Sequence, residues 1–140
     1  MANPALRQAF RQKKFIVAPR IFDMVSAKGA DGMGFDCLYG TGFGTVASHL
    51  GVPDAGIATY TEMRDRMATL VRTSNAAVIA DGDTGYGGLL NVHHTVKGYE
   101  EAGVTAIQIE DQEFPKKCGH TPFKHLISTE DMVEKIKVAI

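Results

Sequence analysis

Two aspartates follow the third apolar segment of the sequence and could bind a divalent cation. Asp81 and Asp83 stand two residues apart after the apolar run 77–80, in a segment rich in glycine. Side chains two residues apart on an extended chain point to the same side, so both carboxylates are expected to reach one point. Mg²⁺ prefers one or two carboxylates together with water and substrate oxygens. The alternative is a polar turn after a strand, which an isolated Asp-x-Asp favours.

Two further acids support the interpretation as a cation site. Asp54 follows Gly51-Val52-Pro53, and Glu110 follows the fourth apolar run. Acids that end separate strands of a barrel converge on one site, and such a group is costly without a cation. Each acid also has a simpler interpretation, since Glu110 could be a solvated loop residue and Asp54 a cap.

A cysteine in a basic loop is a candidate proton donor or nucleophile. Cys118 is flanked by Lys116, Lys117 and His120, and nearby positive charge favours a thiolate. Proline and glycine residues around it suggest a shaped loop that could close over a site. An exposed cysteine with incidental basic neighbours fits the composition equally well.

The elements that would position these residues alternate between strand and helix patterns. Short apolar runs that end in glycine, proline or acidic residues are typical of buried parallel strands, and they occur at 15–17, 37–39, 77–80 and 106–109. Helices are expected over 23–30, after a capping box at Thr59 and Glu62, after Asn91 as an N-cap, and after Ser128.

This alternation predicts βαβ units and a parallel sheet. A doubly wound sheet and half of a (β/α)₈ barrel both contain four such units. The barrel is favoured, because candidate site residues follow several different strands, as they do at a barrel's C-terminal face.

The chain is expected to be one domain, a partial barrel over residues 1–140. A complete barrel takes about 250 residues, so four units make roughly half of one. The apolar stripe of the last helix runs to Ile140 without a glycine or proline stop, which indicates truncation at the C-terminus. Assembly of two copies is the alternative.

Composition argues against several classes of protein. Fifteen basic and sixteen acidic residues give a net charge of -1, so no nucleic-acid partner is expected. No apolar run is long enough for a membrane span, and the N-terminus lacks the apolar core of a secretory signal. Two cysteines make a poor disulfide framework, so we expect a cytoplasmic protein with Cys37 in its core.

A glycine-rich turn at 39–44 follows the second apolar run. Its backbone N–H groups could face an anion. It lacks the Lys-Ser/Thr ending of a nucleotide phosphate loop and the spacing of a dinucleotide fingerprint. Alone it is a weak signal.

Five motifs occur in an order that resembles the isocitrate lyase/phosphoenolpyruvate mutase superfamily. They are Tyr-x-Thr-Gly at 39–42, Val-Pro-Asp at 52–54, Asp-x-Asp-Thr-Gly-Tyr-Gly at 81–87, Ile-Glu-Asp-Gln at 109–112 and Lys-Lys-Cys-Gly-His at 116–120. The last is the lyase signature, and the compact loop resembles methylisocitrate and 2,3-dimethylmalate lyases. The resemblance extends from Phe15 to the end of the chain.

The resemblance implies a Mg²⁺-dependent carbon–carbon lyase, for which Mn²⁺ could substitute. Its substrate would be a small 2-hydroxy di- or tricarboxylate, cleaved to a 2-oxo acid and a carboxylate. Asp81 and Asp83 would hold the metal, with Asp54 and Glu110 acting through water. Gly82 departs from the alanine expected between the two aspartates.

The resemblance also implies roles around the thiol. Cys118 would be the general acid, and Lys116 and His120 would tune or orient it. The residues expected to contact the substrate are Tyr39, Thr41, Gly42, Phe43 and Gly119.

Three alternatives remain open at this point. Within the superfamily they are an oxaloacetate decarboxylase and a phosphoenolpyruvate or carboxyphosphonoenolpyruvate mutase. Outside it stands a non-catalytic half-barrel. The expected partners are a small carboxylic acid and further copies of the chain in a homo-oligomer.

Overall fold

Four parallel strands, hydrogen-bonded in the order β1-β2-β3-β4, form the sheet of this protein. The computed structural model describes residues 4–140. The elements in chain order are α1 Pro4–Arg11, β1 Arg20–Ile21, α2 Met24–Gly32, β2 Cys37–Gly40, α3 Gly42–Leu50, α4 Tyr60–Thr73, β3 Ala77–Asp81, α5 Leu89–Glu101, β4 Ala106–Gln108 and α6 Thr129–Ala139. Sequential strand order with helical crossovers is the arrangement of a barrel rather than of a doubly wound sheet.

The two faces of the sheet carry different side chains. Ile21, Leu38 and Ala80 are fully buried in the main apolar cluster, where they pack with α4 residues such as Met67 and Leu70. Because side chains alternate along a strand, the residues next to these three in their own strands point to the opposite face of the sheet. Polar residues of the candidate site, including Tyr39 and Asp81, occupy that second face.

Local capping fixes the start of two helices as predicted. At α4, the Glu62 N–H donates to Thr59 Oγ1 at 3.3 Å and the Thr59 N–H donates to Glu62 Oε2 at 2.8 Å, which completes the expected capping box. At α6, the Asp131 N–H donates to Ser128 Oγ at 3.0 Å. Cys37 is fully buried, as expected.

The first predicted strand was placed wrongly. Strand β1 is Arg20–Ile21, not 15–17, and Phe15 is 93% exposed. Pairing with β2 begins where the Tyr39 N–H donates to the Pro19 carbonyl at 2.9 Å. The apolar run at 15–17 does not pair in the sheet. Ile16 packs instead against the small apolar cluster around Leu6.

The predicted cap of α5 was also wrong. The helix begins at Leu89, and Gly88 is its N-cap. Asn91 lies in the first turn instead, where its Oδ1 accepts a hydrogen bond from the Gly88 N–H at 3.2 Å. The asparagine therefore supports the helix start from inside the first turn. Among residues 4–140, no helix combines the length and apolar character required to cross a bilayer.

Candidate functional site

Asp81 ends strand β3, and two backbone N–H groups hold its carboxylate in place. The Asp83 N–H donates to Oδ1 at 2.9 Å, and the Gly42 N–H donates to Oδ2 at 3.0 Å. Asp83 itself adopts a positive φ of 53° in the turn that follows. The two predicted metal-binding carboxylates therefore stand at the carboxyl edge of the sheet, beside the start of α3.

Lys116 connects the cysteine loop to these acids. Its Nζ lies 2.6 Å from Asp54 Oδ1 and 3.0 Å from Asp83 Oδ2. Burial acts to lower the pKa of Lys116, but the hydrogen bond that it donates to Asp54 and the charge of Asp83 outweigh burial and raise that pKa above its usual range. The lysine is therefore a buried cation held among carboxylates.

Glu110 joins the same group of acids through its backbone and side chain. Its N–H donates to the Asp83 carbonyl at 2.8 Å, and its Oε2 accepts from Gln112 Nε2 at 2.6 Å. Gln112 is buried, and it also bonds the backbone of Lys117 in both directions. Glu110 and the cysteine loop are thus positioned together.

Burial and mutual repulsion make it costly for these acids to carry their negative charges. Burial raises the pKa of Asp81, against the hydrogen bonds from the Asp83 and Gly42 N–H groups. Burial likewise raises the pKa of Glu110, with Lys116 opposing the rise and Asp81 adding to it. A bound cation would relieve this cost.

The donor set fits Mg²⁺. Within residues 4–140, no three acidic, histidine or cysteine side chains form a complete metal-ligand group. Mg²⁺ does not need one, because it commonly keeps several waters and binds through one or two carboxylates plus substrate oxygens. Asp81 and Asp83 supply that number of hard oxygen ligands at one edge of the sheet.

Tyr39 faces the site as a neutral hydrogen-bond donor. Its hydroxyl donates to Gln108 Oε1 at 2.9 Å. Burial, aided by the charge of Asp81, raises the pKa of Tyr39 to about 12, while Arg20 opposes the rise. The phenol therefore keeps its proton near neutral pH.

A cavity of about 640 Å³ lies between the cysteine loop, the segment 53–55 and Phe43 at the start of α3. Four residues predicted for the site line it: Phe43, Asp54, Cys118 and His120. Cys118 is half-buried, and its carbonyl accepts hydrogen bonds from the N–H and hydroxyl of Thr121, which shapes a tight turn.

The other predicted substrate-contacting residues lie outside the lining of this cavity. Thr41 is buried, with its N–H bound to the Ile21 carbonyl. The Gly42 N–H is engaged by Asp81 rather than directed at the cavity. A Cβ placed on Gly119 would lie 3.9 Å from Glu110 Oε1, so the loop passes over that acid.

Three supporting residues were not identified from sequence. Gln112 ends the Ile-Glu-Asp-Gln motif at 109–112, in which only Glu110 was expected to act at the site. Tyr99 is buried under the strand end, where its hydroxyl donates to the Asp81 carbonyl at 3.3 Å. Arg20 reaches His120 of the cysteine loop, with Nη1 3.4 Å from Nε2. For Arg20 the available signal was a charged residue within the apolar segment 16–22.

Comparison with protein families gives one match that covers nearly the whole chain. A model of the phosphoenolpyruvate phosphomutase family matches residues 6–140. A 2,3-dimethylmalate lyase of Eubacterium barkeri is 49% identical over 135 residues, covering 96% of this chain and 47% of that protein. A 2-methylisocitrate lyase of Halalkalibacterium halodurans is 46% identical over 131 residues, covering 94% of this chain and 43% of that protein.

Solved structures show the same relationship. A crystal structure of 2,3-dimethylmalate lyase superposes with a TM-score of 0.92 at 43% identity, covering 97% of this chain and 46% of that chain. A phosphonopyruvate hydrolase in complex with oxalate and Mg²⁺ superposes with a TM-score of 0.87 at 35% identity, covering 99% and 47%. The chain therefore spans about half the length of the relatives it matches.

Proposed function

Because the chain belongs to the phosphoenolpyruvate mutase/isocitrate lyase superfamily, we propose that it carries part of the active site of a Mg²⁺-dependent carbon–carbon lyase. The substrate is a small 2-hydroxy di- or tricarboxylate of the methylisocitrate, isocitrate or dimethylmalate type. Cleavage gives a 2-oxo acid and a carboxylate. The main support is the ion pair of Lys116 with Asp54 and Asp83, which fastens the Cys118 loop over the acids.

Mg²⁺ is the proposed cofactor, and Mn²⁺ can replace it at the same site. Asp81 and Asp83 hold the ion, and Asp54 and Glu110 act through water. The related phosphonopyruvate hydrolase structure, described as a complex with oxalate and Mg²⁺, supports this assignment. When bound, the ion supplies Lewis-acid polarisation of the substrate's 2-oxygen.

Cys118 is the proposed general acid. In the cleavage the 2-hydroxyl gives its proton to a general base and becomes the carbonyl of the 2-oxo acid. The electron pair of the broken carbon–carbon bond passes to the carbon next to the carboxylate of the departing fragment, and the thiol delivers its proton to that carbon. Lys116 holds the loop down, and His120, which lines the same cavity as the thiol, orients it. The residues proposed to contact the substrate are Tyr39, Thr41, Gly42, Phe43 and Gly119.

Location and assembly are proposed from the chemistry of the thiols and from the family resemblance. Cys37 and Cys118 are both free thiols, which suits a reducing compartment such as the cytoplasm. A homo-oligomer is proposed from the family resemblance.

A carbonyl-trapping assay tests the lyase. The chain is incubated with Mg²⁺ and isocitrate, methylisocitrate, dimethylmalate or oxaloacetate, alone and mixed with the part of the Eubacterium barkeri lyase that it does not match. Phenylhydrazine captures the 2-oxo acid. We expect glyoxylate or pyruvate from a hydroxy acid, lost with EDTA and restored by Mg²⁺.

Variants sharpen this assay. Cys118→Ala should lower turnover at least about a hundredfold, the usual contribution of a general acid. Cys37→Ala is the matched control, because Cys37 lies in the core and not in the cavity. Carbon dioxide from oxaloacetate alone would favour the decarboxylase, and a phosphonate product would favour the mutase. If no product forms in either the single-chain or the mixed samples, the non-catalytic half-barrel is favoured.

A further inference from the structure

Arg20 is a cation at the site edge that the proposed lyase chemistry does not use. It is the first residue of β1 and pairs in register with Tyr39 of β2. Its neighbour Ile21 is fully buried against the helices, so Arg20 projects from the opposite face, the face that Tyr39 shares.

Two contacts hold the guanidinium where the cysteine loop passes. Its central carbon lies 5.8 Å from the centroid of the Tyr39 ring, and Nη1 lies 3.4 Å from His120 Nε2. His120 lines the cavity that also contains Cys118. The positive charge therefore stands beside the cavity without lying among the acids.

The guanidinium has unused binding capacity. Over residues 4–140, no carboxylate forms an ion pair with Arg20, whereas Lys116 is bound to both Asp54 and Asp83. Arginine carries five N–H donors in a planar fork that matches a carboxylate with two parallel hydrogen bonds.

The charge balance of the site explains why such a group is useful. Asp54, Asp81, Asp83 and Glu110 bring four negative charges, and Lys116 brings one positive charge that they already share. A bound divalent ion would still leave one negative charge in excess. A substrate with two or more carboxylates would then bring negative charge that only an additional cation can balance.

We propose that Arg20 binds a second carboxylate of the substrate, the one away from the reacting 2-hydroxy acid group. The proposal rests on the lyase assignment for its substrate, and it adds a selectivity: di- and tricarboxylates are accepted over 2-hydroxy acids with a single carboxylate. The Tyr39 ring supports the guanidinium from the sheet side, and His120 supports it from the loop side.

Isothermal titration calorimetry with two matched ligands tests this role without turnover. Malate and lactate share the 2-hydroxy acid group and differ in the second carboxylate. Both are titrated in Mg²⁺ into the unaltered chain and into Arg20→Gln, Arg20→Lys and Arg72→Gln. Arg72 is the control, because it lies in the last turn of α4, where its Nη2 donates to Thr69 Oγ1 at 3.0 Å.

The expected pattern is specific to the second carboxylate. The unaltered chain should bind malate about tenfold or more tightly than lactate, which corresponds to about 1.4 kcal/mol. Arg20→Gln should remove that difference by weakening malate alone, Arg20→Lys should retain part of it, and Arg72→Gln should retain all of it. Lysine falls short because it lacks the bidentate fork.

Several outcomes would overturn the proposal. They are unchanged malate affinity in Arg20→Gln, equal weakening of malate and lactate, and an unaltered chain that does not prefer malate. A fall in melting temperature without a change in malate affinity would assign Arg20 to packing instead. If malate binding depends on Arg20 but the chain has no lyase turnover, the role of Arg20 is supported and the lyase is rejected. If the chain has lyase turnover and Arg20→Gln leaves it unaffected, the lyase is supported and the role of Arg20 is rejected.

Discussion

Lys116 and Asp54 form an ion pair of 2.6 Å in which the two side chains are only 1% and 6% exposed. The lysine stands two residues before Cys118, and the aspartate lies between α3 and α4. The pair therefore fixes the position of the cysteine loop relative to the sheet edge. A buried pair of this kind is strongly destabilising when only one partner is removed, because the other charge stays buried.

Lys116→Met should lower the free energy of unfolding by about 3 kcal/mol, because Asp54 and Asp83 would lose their shared cation. Urea denaturation followed by circular dichroism measures the change. Lys117→Met is the matched control, since the Lys117 side chain is exposed and its Nζ donates to the Phe123 carbonyl at 3.4 Å. Its effect should stay within about 0.5 kcal/mol. Equal losses in the two variants would show that the ion pair has no special role.

Gly82→Ala should destabilise the turn after β3 by about 1–3 kcal/mol, the usual cost of overpacking. A Cβ at position 82 would lie 2.7 Å from Ile107 Cδ1 and 3.0 Å from the Gln108 carbonyl oxygen. The isoleucine on the neighbouring strand therefore disfavours the alanine that the family resemblance leads one to expect at this position.

Ile107→Ala provides the test of that cause, because it removes both overlapping atoms, Cδ1 at 2.7 Å and Cγ1 at 2.8 Å from the position of the added Cβ. In a double-mutant cycle, the two substitutions together should cost at least about 0.5 kcal/mol less than the sum of the single costs. Strict additivity would mean that the overlap with Ile107 is not what disfavours alanine.

Gly98→Ala and Gly29→Ala should change stability in opposite directions. Gly29 is exposed within α2 and has nothing within 4 Å of a Cβ, so alanine should stabilise the helix by about 0.5–1 kcal/mol. Gly98 is buried in α5, and a Cβ there would overlap the Tyr60 hydroxyl. That variant should lose about 1–3 kcal/mol. Thermal unfolding of both variants is sufficient, and a stabilised Gly98→Ala would contradict the close contact.

Asp31 should make stability depend on pH. Its Oδ1 accepts hydrogen bonds from the Ala76 N–H at 2.9 Å and the Asn75 N–H at 2.8 Å, tying α2 to the start of β3. The bond from Ala76 is the main cause that lowers the pKa of Asp31, with burial opposing it. A lowered pKa means that the stabilisation is present above the unfolded pKa of about 3.9 and is lost as pH falls through the folded value.

Asp31→Asn should therefore be less stable than the unaltered chain at about pH 6, and the gap should shrink as pH falls below about 4. Urea denaturation across that range measures the gap. Asp65→Asn is the control, because Asp65 is an exposed acid paired with Arg64. A gap for Asp31→Asn that does not vary with pH would refute the carboxylate's role.

Features that depend on residues close in the chain were predictable from sequence. The Thr59–Glu62 capping box, the Ser128 cap and the four strand–helix units each follow from patterns only a few residues long. The prediction of a strand at 15–17 was wrong, because an apolar run indicates that residues are buried but not which element they pack against. Ile16 is packed beside Leu6 and not paired within the sheet.

The sequence by itself determined the kinds of chemical group at the site and the order in which they occur. The acids at 54, 81, 83 and 110 and the thiol at 118 follow from residue types and spacing alone. Only the tertiary structure decided which of them touch: Lys116 pairs with acids far from it in the chain, and Arg20 reaches His120 across 100 positions. The physical reason is that parallel strands in sequential order bring their carboxyl ends to one edge, so contacts there depend on strand register and loop path, which no local pattern encodes.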